Sequence, residues 1–152
     1  MVNAPGKTLL LISGILLVII GALSILIFGL TLAGLLAGDS LGIGEEVTQA
    51  ITDSGTDKDT LIVGAIIFIV AGLWALVVGI LGIKNRAVLE KAQLCLVLGV
   101  IFIVLALVGV VLQAIGGAEI QDLALGLIDL VLPLVFVAGA IMNKKALSQQ
   151  QG

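Results

Sequence analysis

An aspartate inside an aliphatic run is the residue of this sequence with the most chemistry to offer. Asp129 stands in the stretch ALGLIDLVLPLVF, four positions ahead of Pro133. In a helix the N–H of residue 133 would bond the carbonyl of residue 129, and proline has no N–H to give. A free carbonyl and a carboxylate therefore belong to one residue, at an expected kink. An ionised carboxylate in hydrocarbon is costly, so Asp129 should face protein and either pair, bind a cation or take up a proton. No Lys or Arg lies inside an apolar run to pair with it. Asp129 and Pro133, with Ser24 and Gln113 as polar neighbours, could form an ion or proton site. The same residues support a structural reading, in which a neutral Asp129 is hydrogen-bonded to Ser24, Thr31 or Gln113 on an adjacent helix.

The rest of the inventory excludes most chemistry. The chain has no His and no Tyr, one Cys (Cys95) and one Trp (Trp74). A lone thiol makes no intrachain disulfide and no thiol relay. Zinc, haem and iron–sulfur sites lack a ligand set, and a Ser–His–Asp type triad lacks its base. Neither an enzyme nor a bound metal or cofactor is expected. The basic turn with Lys84, Arg86 and Lys91 has no interleaved aromatics, so no nucleic-acid partner is expected either.

The elements that must position these residues follow from composition. The 152 residues are 61% hydrophobic and 11% charged, with a mean hydropathy of +1.35. So little polar surface makes lipid the solvent for most side chains. Apolar runs over about 8–37, 61–83, 88–114 and 123–142 are each long enough to cross a bilayer. They predict one all-α domain over 1–152, an integral membrane four-helix bundle running up-down-up-down. The first run is longer than a bilayer needs, so it should tilt or carry its 29–34 end beyond the lipid. It exceeds the apolar core of a signal peptide and shows no clean cleavage site, so it reads as a mature helix. The polar end, 143–152, is expected to be mobile.

Lys7, Lys84, Arg86, Lys91, Lys144 and Lys145 fall on one side of these spans, and Lys58 alone on the other. The positive-inside rule then places both ends of the chain in the cytoplasm, in the plasma (cytoplasmic) membrane. The acidic loop over 38–60 faces outward. Within it Ile43, Val47 and Ile51 recur at helical spacing, which fits a short amphipathic helix on the outer membrane surface or a contact face for a partner.

Lipid gives helices no hydrophobic reason to associate, so close backbone packing must supply the attraction. Gly14 and Gly21 are seven residues apart on the first span, as are Gly72 and Gly79 on the second, and Gly139 lies in a small-residue cluster on the fourth. Two helical turns return such residues to nearly one face. A possible duplication of the helical hairpin also shows when LLISGILLVIIGAL of the first span is compared with LVLGVIFIVLALVG of the third, Gly14 matching Gly99 and Gly21 matching Ala106.

The whole layout resembles that of small prokaryotic four-span (tetraspan) membrane proteins. It is also similar to four-helix proteolipids of rotary ATPases in size, hairpin duplication and a carboxylate in the fourth helix. It departs from them in lacking a glycine-zipper first helix. Claudin-type proteins carry a cysteine pair that the first loop here lacks, and small multidrug exporters place an acid in helix one, where this chain has none. The expected function is that of a non-enzymatic accessory, scaffold or assembly protein, embedded in the bilayer and bound to other membrane proteins or to copies of itself. The alternative is an ion- or proton-coupled transporter, or an oligomeric channel or ring subunit, using Asp129.

Overall fold

The structure, a computed structural model, describes residues 4–42, 49, 58–115, 126–127 and 130–151. The described residues are helical almost throughout. Helix α1 covers Lys7–Leu41, α2 Lys58–Asn85, α3 Ala92–Ile115 and α4 Val131–Gln151, with a short 3-10 turn over Leu89–Lys91 ahead of α3. All four helices are long and apolar enough to cross a membrane. Helix is the only open-chain solution there, because every N–H and C=O must find its partner within the segment.

The distribution of side chains is that of a protein solvated by lipid. Leu26, Leu30 and Leu36 are 61%, 67% and 66% exposed, while Gly14, Gly21, Gly72, Gly79, Gly82 and Gly99 are buried. In water such a surface would aggregate. Here the large aliphatic side chains turn outward and the small ones let backbones approach.

The helix ends depart from the sequence expectation in informative ways. Helix α1 has 35 residues, about 52 Å of helix against a hydrocarbon core of about 30 Å. Its regular path breaks at Ala37 (φ −130°, ψ 20°), and Gly42 ends it with φ +74°, the left-handed cap that glycine adopts without steric cost. The third span begins later than position 88, because Val88 is extended (φ −99°, ψ 98°) and the 3-10 turn precedes α3. Within the fourth apolar run the described helix α4 begins at Val131. Leu130 forms a turn, its N–H bonding the Leu127 carbonyl at 3.2 Å, and the regular ladder resumes with Leu134 N–H on Leu130 O at 3.1 Å. Pro133 occupies the first turn of α4, where a missing N–H costs no intrahelical bond. The polar end continues the helix. Helix α4 runs on to Gln151, sustained by good helix formers among Lys, Ala, Leu and Gln, and Ser148 Oγ donates to Lys145 O at 2.8 Å.

Two compact units divide the chain. Residues 19–76 form one of them, an antiparallel pair of helix segments from α1 and α2. Phe28 and Phe68 stack there with ring centroids 4.3 Å apart and planes 7° from parallel. Residues 1–18 and 77–152 form the other, in which α4 packs on α3, on the 3-10 turn and on the segments of α1 and α2 that belong to this unit. Its buried core includes Leu10, Leu17, Val78, Cys95, Phe136 and Ala140.

Candidate functional site

The most elaborated polar arrangement among the described residues centres on Asn143, which is fully buried. Its Oδ1 accepts a hydrogen bond from Gly6 N–H at 2.8 Å, and its Nδ2 donates to the Arg86 carbonyl at 2.9 Å. One amide thus ties the segment entering α1 and the turn leaving α2 to the middle of α4. Both partners are main-chain groups that no regular helix bond uses, and an amide offers one acceptor and one donor in a single side chain. Sequence reasoning missed this residue because a polar side chain at the end of an apolar span reads as solvated. The signal that could have found it is that α4 carries good helix formers beyond it, so Asn143 sits inside the helix and not at its end.

Glycines make the close approach possible. A Cβ on Gly6 would collide with the Gly139 carbonyl oxygen, and one on Gly139 would lie 3.1 Å from Leu9 Cβ and Leu10 Cγ. Phe136, fully buried, fills the space that two missing side chains leave. A Cβ on Gly82 of α2 would strike its ring, and one on Gly99 of α3 would lie 3.0 Å from Phe136 Cδ1 and 2.6 Å from Val137 Cγ2. Neither Gly82 nor Phe136 was marked by sequence spacing, although Phe136 is the sole aromatic between 123 and 142.

The glycines marked by spacing lie as follows. In the four-segment unit a Cβ on Gly14 would be 3.0 Å from Gly79 O and 2.8 Å from Ile83 Cγ1, and one on Gly79 would be 2.7 Å from Gly14 O. In the two-helix unit a Cβ on Gly21 would be 2.6 Å from Gly72 O, and one on Gly72 would be 3.0 Å from Gly21 O. Each glycine therefore faces its counterpart's carbonyl, and alanine would force the backbones apart. Ser24 belongs to that second contact, its Cβ 3.1 Å from where a Gly72 Cβ would be.

The residues expected to carry ion chemistry are placed only in part. Pro133 is fully buried. Asp129 and the side chain of Gln113 lie outside the described residues, as do Ile43, Val47 and Ile51 of the 38–60 loop. Among the described residues no group of three His, Cys, Asp or Glu side chains could hold a metal ion. Further polar groups occur in the described helices, and Thr31 Oγ1 donates to Ile27 O at 3.0 Å. Ser13 Oγ turns back to donate to Leu9 O at 2.6 Å, and Trp74 Nε1 is buried with no hydrogen-bond partner among the described residues. The arrangement is thus one of close backbone packing, with its buried Ser and Asn side chains occupied by main-chain partners.

No protein-family model matches this chain, and neither the curated proteins nor the solved structures include a significant match to it.

Proposed function

We propose that this chain is a non-enzymatic tetraspan accessory or scaffold protein that associates with other membrane proteins or with further copies of itself. The observation that carries the reading is how the interior is used. Among the described residues glycine-to-carbonyl approaches and aliphatic contacts fill it, and the buried polar side chains Ser13 and Asn143 are engaged by the backbone. A substrate path or conducting pore calls for polar lining free to exchange partners. Glycine-rich packing suits a rigid platform whose lipid-facing side chains are available to a neighbour in the membrane. The excess of Lys and Arg on one side supports an orientation with both ends of the chain in the cytoplasm and the 38–60 loop outside.

A mild-detergent affinity purification from the native membrane, read by mass spectrometry and native mass, tests this. A stoichiometric partner protein, or a defined homo-oligomer whose Asp129→Asn variant keeps full function, is the expected result. Loss of function in Asp129→Asn, with assembly and partner binding intact, would overturn it in favour of an ion- or proton-coupled transporter or ring subunit.

A further inference from the structure

An open groove lies at the end of the unit where the chain enters α1 and α4 runs past Asn143. It is lined by Pro5, Met142, Lys145, Ala146 and Gln149. Met142, Lys145 and Gln149 are three and four residues apart, so they share one face of α4. At 1.5 Å of rise per residue, Lys145 stands about 4.5 Å beyond Met142 and Gln149 about 10.5 Å beyond it. Met142 is 40% exposed, and it closes the apolar part of the helix, since Asn143, Lys144 and Lys145 follow. The groove therefore offers a thioether, then an ammonium, then an amide, in rising order away from the apolar core.

That order is the order of a phospholipid: acyl methylenes, phosphate, headgroup. Charge selects the class. The described residues of this unit carry six basic side chains (Lys7, Lys84, Arg86, Lys91, Lys144 and Lys145) against one carboxylate whose side chain is described, Glu90. None of the six is engaged in an ion pair among the described residues. We propose that this groove seats one anionic phospholipid. Lys145 takes the phosphate, Gln149 hydrogen-bonds the headgroup oxygens beyond it, and Met142 with Pro5 covers the first methylenes of a chain. Topology alone asks for basic residues at this end, but it asks for no groove and no order within it. Helix α4 holds the groove's register because Asn143, one residue past Met142, is bonded to Gly6 and Arg86.

The test is native mass spectrometry of the full chain in detergent, titrated with phosphatidylglycerol or phosphatidylcholine at matched concentration. Wild-type protein is expected to retain one phosphatidylglycerol several-fold more than phosphatidylcholine. Lys145→Gln should lower that retention about fivefold, the effect of one lysine near an anionic surface. Lys145→Arg should keep it. Lys91→Gln removes a charge at the same end of the unit but outside the groove, and it should leave retention unchanged. Equal retention of the two lipids would overturn the proposal. So would equal losses in Lys145→Gln and Lys91→Gln, which mark a diffuse surface potential, or an adduct with the mass of free phosphate in place of an intact lipid.

Discussion

Asn143 shows how much one buried amide can hold: it joins main-chain groups at two other places in its unit. Leucine keeps its branching at Cγ but has none of its hydrogen bonds. In Asn143→Leu the Gly6 N–H and the Arg86 carbonyl lose their partners, and an unsatisfied buried group costs about 1–3 kcal/mol. Thermal unfolding in detergent, followed by helical circular dichroism, should show a lower midpoint. An unchanged midpoint would mean that water already serves those two groups. Phe136 supports a second expectation at this scale. Gly82→Ala drives a methyl into its ring, and overpacking of this kind costs about 1–3 kcal/mol. Phe136→Leu should relieve part of that cost, so the double variant should be more stable than the sum of the single losses predicts. Strict additivity would show that the alanine is accommodated elsewhere.

At the scale of the helix, the glycines separate into two kinds that composition does not distinguish. Gly79 faces the Gly14 carbonyl, whereas Gly64, fifteen residues earlier on α2, has nothing within 4 Å. Gly79→Ala should destabilise the protein, and Gly64→Ala should leave it unchanged or raise stability by up to about 0.5–1 kcal/mol, the ordinary gain of alanine over glycine in a helix. Unfolding midpoints measured side by side decide it; equal effects would deny the contact at Gly79. Seven-residue spacing marked Gly14, Gly21, Gly72 and Gly79 because helical periodicity is a local property of the chain. Gly82 and Phe136 were not legible, since their importance depends on which helix α4 meets, and that is decided by tertiary packing. The aligned hairpins make the same point. Gly14 faces Gly79, but its counterpart Gly99 faces Phe136 and Val137, while Gly139 lies against Leu9 and Leu10 of α1. Pro133 reads in the sequence as a kink, whereas the structure places it in the first turn of α4, just after a turn at Leu130. The helical course of α4 to Gln151 was hidden by its polarity, because polar residues at the end of a span read alike whether they coil or stay helical.

For the molecule as a whole, apolar run length made the four helices legible, since a bilayer imposes that length on any segment crossing it. Orientation rests on a separate physical asymmetry. Basic residues resist transfer across the membrane during insertion, so the side that holds Lys7, Lys84, Arg86, Lys91, Lys144 and Lys145 is expected to stay in the cytoplasm. Cysteine labelling reads this directly. The lone native thiol, Cys95, is buried, and Cys95→Ala supplies a background with a side chain small enough for its site. In that background, Asp53→Cys in the acidic loop should react with a membrane-impermeant maleimide in intact cells. Ser148→Cys, at an exposed position of α4, should react only after the membrane is opened. The reverse pattern would place the acidic loop in the cytoplasm, the arrangement in which the likeness to rotary-ATPase proteolipids gains weight and Asp129 becomes the first residue to assay for proton or sodium flux. Labelling of both positions in intact cells would instead mean that the spans do not alternate, and the up-down-up-down order would fall with the orientation.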